Sequence, residues 1–80
     1  MKHDDGDALA RLRLAVEQAM LQTQYAERRY MAVDPDNRLV AYPLECDWEK
    51  ALRKLEKAKA VLSLYEERLA ETLRNGKQQN

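Results

Sequence analysis

The chain has 80 residues and a mass of 9.3 kDa, which allows one small domain and excludes a large catalytic core. Gly and Pro occur 2 times each and Phe is absent, so the turn residues of a many-stranded β protein are missing. Lys and Arg number 14 and Asp and Glu number 14, and this balance argues against a protein that binds nucleic acid through an excess of positive charge.

The side chains that carry catalysis or bind metals are scarce. Cys46 and His3 are the single Cys and His, too few for a disulfide or a four-ligand zinc site, and Ser63 has no base to activate it. We therefore predict no enzyme activity, no metal, no cofactor and no small-molecule substrate. No apolar run approaches the roughly 20 residues that span a bilayer, so we expect a cytoplasmic protein with no membrane partner.

A heptad pattern predicts the first helix over about residues 8–33. Residues 1–7 are polar and are expected to form a disordered lead-in, with Asp7 as the N-cap. Apolar and small residues then alternate at spacings of three and four, which places them in one seam along the helix. The seam consists of Leu9, Leu12, Val16, Ala19, Thr23, Ala26, Tyr30 and Val33.

Two prolines predict a corner with a short kinked helix over residues 34–43. Asp34 before Pro35 should end the first helix, and the same pair can serve as N-cap and first residue of the next one. Pro43 is expected to break or kink the chain, because a helix-interior proline costs about 3 kcal/mol.

A second heptad seam predicts a helix over about residues 44–75. Asn75 and Gly76 are typical of a left-handed C-cap, and residues 76–80 are expected to form a disordered tail. The seam comprises Leu44, Trp48, Ala51, Leu55, Ala58, Leu62, Tyr65, Leu69 and Thr72.

Two long helices with a short link predict an all-α, antiparallel two-helix coiled-coil hairpin, with the hairpin itself spanning residues 8–75. The expected hairpin core is Leu12, Val16, Tyr30, Val33, Trp48, Leu55, Leu62 and Leu69. Apolar residues outside the seams suggest a second contact surface that would dimerise the chain into a four-helix bundle, although scattered surface apolar residues are also normal. This predicted interaction surface is Leu14, Leu21, Tyr25, Val61 and Leu64.

The stretch from Arg28 to Ala41, followed by Leu-Glu at 44–45 and Trp-Glu at 48–49, is more specific than composition. It resembles a helical segment near the zinc β-ribbon of bacterial serine recombinases of the large resolvase/invertase type. The resemblance covers about Gln24 to Leu62. Pro43 and Cys46 depart from the family's pattern, which puts the continuity of the second helix in question.

The resemblance implies a helical accessory region that serves protein–protein contact and domain spacing in DNA recombination. The family's catalytic serine domain and paired zinc cysteines are not in this sequence. We therefore expect a non-catalytic interaction module, in the manner of a truncated recombinase remnant from a mobile genetic element. Its partner would be a second copy or a recombinase, with DNA contacted at most indirectly.

The alternative function is a small nucleic-acid-binding accessory protein that uses Arg and Lys on the helix faces. In this alternative the best local cluster of phosphate contacts is Arg28, Arg29 and Arg38. The acidic residues that balance these charges argue against it.

Overall fold

The computed structural model describes the backbone of residues 3–79 and the side chains of residues 7–75. It contains two helices, α1 (His3–Met31) and α2 (Arg38–Gln79), and no strand occurs between residues 3 and 79. Arg13 contacts Glu66 and Tyr30 contacts Trp48, so residue numbers rise along α1 as they fall along α2. The predicted all-α helical hairpin is therefore confirmed. Its Cα atoms extend over 65 × 19 × 13 Å, a long thin plate.

The two heptad seams face each other along the hairpin. Ala19, Thr23 and Ala26 of α1 and Leu55 of α2 are buried, as is Ala41, which extends the second seam toward the corner. Every residue of the α1 seam and every residue of the α2 seam except Thr72 is buried or half-buried. The residues expected to hold the hairpin all lie in this layer: Leu12, Val16, Tyr30, Val33, Trp48, Leu55, Leu62 and Leu69.

The corner is a hydrogen-bonded turn, and it differs from the expected cap. The Asn37 amide donates to the Asp34 carbonyl at 2.9 Å, and the Asp36 amide donates to the Asp34 carboxylate at 3.0 Å. This is a β-turn with Pro35 at its second position, reinforced by an Asx turn. Asp34 therefore caps the turn and not a helix, and α2 begins only at Arg38, where the Ala41 amide donates to the Asn37 carbonyl at 2.9 Å.

Pro43 lies inside α2 and does not end it, so of the expected break or kink the break is wrong, and the short corner helix and the long helix are one helix. A proline in this position removes the hydrogen bond to the carbonyl four residues earlier, that of Leu39. Leu39 is 90 % exposed and Pro43 is also exposed, so both residues lie on the solvent side of α2. Because the lost bond falls at the solvent side of the second turn, the helix continues through it.

The helix bounds also differ from the predicted ones at both ends of the chain. The backbone of α1 begins at His3, so Asp7 lies within the helix and is not its N-cap, and α1 ends at Met31. The backbone of α2 continues through Gly76 to Gln79, and no residue from 3 to 79 has a positive φ, so the left-handed C-cap does not form. Extending a formed helix adds one hydrogen bond per residue, and Gly permits a left-handed cap without requiring it. The remaining parts of the expected lead-in and tail, residues 1–2 and 80, lie outside the described residues.

Candidate interaction surface

A hydroxyl group joins the two helices near the middle of the hairpin. Thr23 is 7 % exposed, and its hydroxyl donates to the Ala19 carbonyl of its own helix at 2.7 Å. The same oxygen lies 3.2 Å from the Ala51 carbonyl of α2. A threonine side chain is short, so this contact requires close approach of the helices. Small residues in the seam at Ala19, Ala26 and Ala51 permit that approach.

Aromatic packing closes the hairpin near the corner. The rings of Tyr30 and Trp48 are 5.6 Å apart between centroids, with an interplanar angle of 33°, within the range of favourable aromatic pairs. The buried indole N–H of Trp48 finds no acceptor among the residues that the structure describes. A shallow groove beside this pair is lined by Tyr30, Met31, Val33 and Pro35.

The residues of the predicted interaction surface are all exposed, but they do not form one patch. Val61 and Leu64 line a groove at the open half of the hairpin together with Leu12, Tyr65 and Arg68. Tyr25 instead lines a separate groove nearer the corner. The exposed fractions are 50 % for Leu14, 65 % for Leu21, 62 % for Tyr25, 45 % for Val61 and 52 % for Leu64. Leu14 and Leu21 are seven residues apart and lie opposite the seam, on the outer edge of α1.

The groove that contains Tyr25 is strongly basic. Its charged lining residues are Arg29, Lys50 and Lys54, opposed by Asp47. The guanidinium carbon of Arg29 lies 5.7 Å from the centroid of the Tyr25 ring, a cation–π contact on the same face of α1. One broad side of the plate therefore carries clustered positive charge.

Helical spacing extends this basic side along the whole hairpin. Lys57 follows Lys50 by seven residues, and Arg11 precedes Tyr25 by two heptads, so both lie on the same side as the basic groove. We define the basic face as Arg11, Arg29, Lys50, Lys54, Lys57 and Arg68, all exposed. Asp47 and Glu71 are the acidic residues that the same helical spacing places on this face among residues 7–75.

The opposite broad side is acidic. Arg13 and Glu66 form an exposed ion pair across the helices at 3.7 Å, which marks this side. Spacings of four and seven residues place further glutamates beside the pair. We define the acidic face as Glu17, Glu27, Glu45, Glu49, Glu56 and Glu66, all exposed, with Arg13, Arg38 and Lys59 as its basic members. The neutral total charge therefore conceals two oppositely charged faces, a separation that the composition could not reveal but the heptad positions of the charges could.

The three arginines predicted as phosphate contacts are exposed but point in different directions. Arg28 and Arg29 are consecutive and so project about 100° apart around α1, with only Arg29 on the basic face. Arg38 is the first residue of α2. The positive cluster of the structure is formed by Arg29 with lysines of α2, and not by these three arginines together.

Tyr42 and Cys46 form a polar contact one turn apart on α2. The hydrogen bond with Cys46 raises the pKa of Tyr42 above its ordinary value of 10.0, and negative charge on Cys46, Glu45 and Glu49 raises it further. Because its pKa lies above 10.0, Tyr42 is neutral at physiological pH, and its exposed ring and hydroxyl contribute a polar and aromatic surface group.

Among residues 7–75, whose side chains the structure describes, no three His, Cys, Asp or Glu residues come together as metal ligands. In the same range neither helix has an apolar stretch long enough to cross a membrane.

Comparison with known proteins gives one partial relative. Over 41 residues the chain is 51 % identical to the uncharacterized protein y4bA/y4pH of Sinorhizobium fredii (strain NBRC 101917 / NGR234). The match covers 51 % of this chain and 6 % of that protein, so about half of the chain corresponds to a small part of a much longer protein. No family profile and no solved structure matches the chain.

Proposed function

We propose that the chain is a non-catalytic helical-hairpin interaction module, which associates with a second copy of itself or with a larger recombinase-type protein. The observation that carries this proposal is the exposure of Leu14, Leu21, Tyr25, Val61 and Leu64 on a hairpin whose seams are already filled. The accessible surface of 6715 Å² supports it, because a compact protein of this mass exposes about 5,000 Å².

The type of module rests on the resemblance between residues 24–62 and the helical accessory segment of serine recombinases. The partial relative supports a modular role, because a segment equal to half of this chain recurs within a much longer protein. In this proposal the module works in the cytoplasm, contributes protein contacts and spacing during DNA recombination, and meets DNA only through its partner.

Charge insertion into the apolar surface tests the proposal. The variant Leu21→Glu with Tyr25→Glu should weaken association at least about tenfold while leaving helicity unchanged, because both side chains are exposed and fill no seam. Sedimentation velocity measures the association and circular dichroism the helicity.

The matched control inserts two glutamates on the outer edge of α2, at Leu39 and Ala60, which are also exposed. The variant Leu39→Glu with Ala60→Glu should associate like the wild type. Unchanged association of the Leu21 and Tyr25 variant, with a purified recombinase-type partner as well as with itself, would refute this surface.

A second candidate function is nucleic-acid binding, which the basic face favours. Arg29, Lys50 and Lys54 line one groove beside the aromatic ring of Tyr25, a combination suited to phosphates and bases. A gel-shift titration at low salt decides this candidate. Absence of retardation at protein concentrations on the order of 10 µM would exclude it.

A further inference from the structure

The two charged faces of the hairpin have complementary positions as well as complementary signs. Lys50, Lys54 and Lys57 occupy the same stretch of α2 as Glu49 and Glu56, but on the opposite face. If one hairpin is laid beside another in the same orientation, this lysine cluster comes level with the glutamates of its neighbour. Charge complementarity of this kind selects a partner and fixes its register.

Both faces also carry exposed apolar side chains, which supply the buried area that charges alone do not. Tyr25, Val61 and Leu64 lie on the basic face. Met20 and Leu52 lie on the acidic face and are 42 % and 40 % exposed. The extents of the broad face, 65 and 19 Å between Cα atoms, give it a size comparable to the roughly 800 Å² that each partner buries in a standard interface.

From this pattern we propose that the hairpin stacks on a second copy of itself in the same orientation, with the acidic face of one molecule on the basic face of the next. We call this contact head to tail because it joins two different faces. This inference rests on the proposed function and names the partner and geometry of its self-association. Such a contact uses two different patches, so it can repeat along a stack, unlike a closed two-fold dimer.

A two-fold dimer through the basic face is disfavoured on the same grounds. It would bring the lysines of α2, Arg11 and Arg68 of one copy against the same residues of the other. Among residues 7–75, Asp47 and Glu71 are the acidic residues on this face that could compensate. Like charges that face each other across an interface oppose association. The head-to-tail arrangement instead places Lys50, Lys54 and Lys57 of one copy against Glu49 and Glu56 of the other.

Charge reversal on each face separately, followed by mixing, tests the geometry. Lys50→Glu with Lys54→Glu reverses the central charges of the basic face and removes its net positive charge. Glu49→Lys with Glu56→Lys reverses the facing charges of the acidic face and removes its net negative charge. In sedimentation velocity at low salt each variant alone should associate at least about tenfold more weakly than the wild type. An equimolar mixture should recover association, because the unaltered acidic face of the lysine variant can contact the unaltered basic face of the glutamate variant.

The matched control is Arg53→Glu with Arg74→Glu, which changes the net charge as much as the lysine variant does but on the outer edge of α2. This variant should associate like the wild type. Adding salt should weaken wild-type association, since the contacts are between exposed charges.

Two results would overturn the head-to-tail contact. One is wild-type association of either face variant alone, and the other is failure of the mixture to recover association. If Leu21→Glu with Tyr25→Glu still disrupts the complex in either case, the interaction module stands and only this geometry fails. A wild-type chain that remains monomeric also overturns the head-to-tail contact and leaves the module with a recombinase-type partner alone.

Discussion

At the scale of single residues, Thr23 is buried and its hydroxyl lies within hydrogen-bond distance of carbonyls of both helices. Its hydroxyl donates within α1 and lies within hydrogen-bond distance of a carbonyl of α2, so it records how closely the helices approach. The heptad pattern predicts that this residue lies in the seam. It does not predict the contact with Ala51, because that depends on an interhelical distance which only the packed structure defines.

Replacement of Thr23 tests whether this hydroxyl stabilises the hairpin. Thr23→Val keeps the shape of the side chain but removes the hydroxyl, and it should lower the free energy of unfolding by about 1 kcal/mol. Thr23→Ser keeps the hydroxyl and serves as the control for the hydrogen bond, although it loses a methyl group. Urea unfolding followed by circular dichroism measures both. A Val variant at least as stable as the wild type would show that close packing, and not hydrogen bonding, determines this position.

At the scale of the helices, the sequence predicts the two long helices, their antiparallel direction and their buried faces, but not their bounds or the merging of the short corner helix into α2. The seam spacing indicates which residues face inward, and burial from Leu12 to Leu69 agrees with it. The bounds differ because cap and breaker residues report only local preferences. Asp7, Pro43 and Gly76 each permit a helix end, yet a long helix packed along a partner tolerates them.

Pro43 gives a direct test of this tolerance. Pro43→Ala restores an amide that can donate to the Leu39 carbonyl, so it should raise the free energy of unfolding by about 2 kcal/mol. This is less than the roughly 3 kcal/mol cost of an interior proline, because proline also stiffens the unfolded chain and so offsets part of that cost. Thermal unfolding followed by circular dichroism measures the change. Ser63→Ala, at an exposed interior position of α2, is the control and should change stability by less than about 0.5 kcal/mol. Equal or lower stability of the Pro43 variant would mean that α2 requires the proline.

At the scale of the whole molecule, the hairpin is a thin plate with little interior. Its buried apolar residues are small apart from Leu55, and many large apolar side chains remain at the surface. The sequence predicts this architecture and the exposed apolar residues of the predicted interaction surface, because both follow from heptad spacing. The division of charge between two broad faces also follows from the heptad positions. Which charges of α1 lie level with those of α2 depends on the register of the two helices, which the contacts of Arg13 with Glu66 and of Tyr30 with Trp48 provide.

The solution mass of the purified chain tests the central claim, self-association of the hairpin through its exposed surface, most directly. Light scattering over a wide concentration range should give masses above the 9.3 kDa of one chain, rising with concentration and falling as salt is added. Far-ultraviolet circular dichroism of the same samples should show a helical protein throughout. A helical chain with a constant mass of 9.3 kDa at every concentration would contradict the claim.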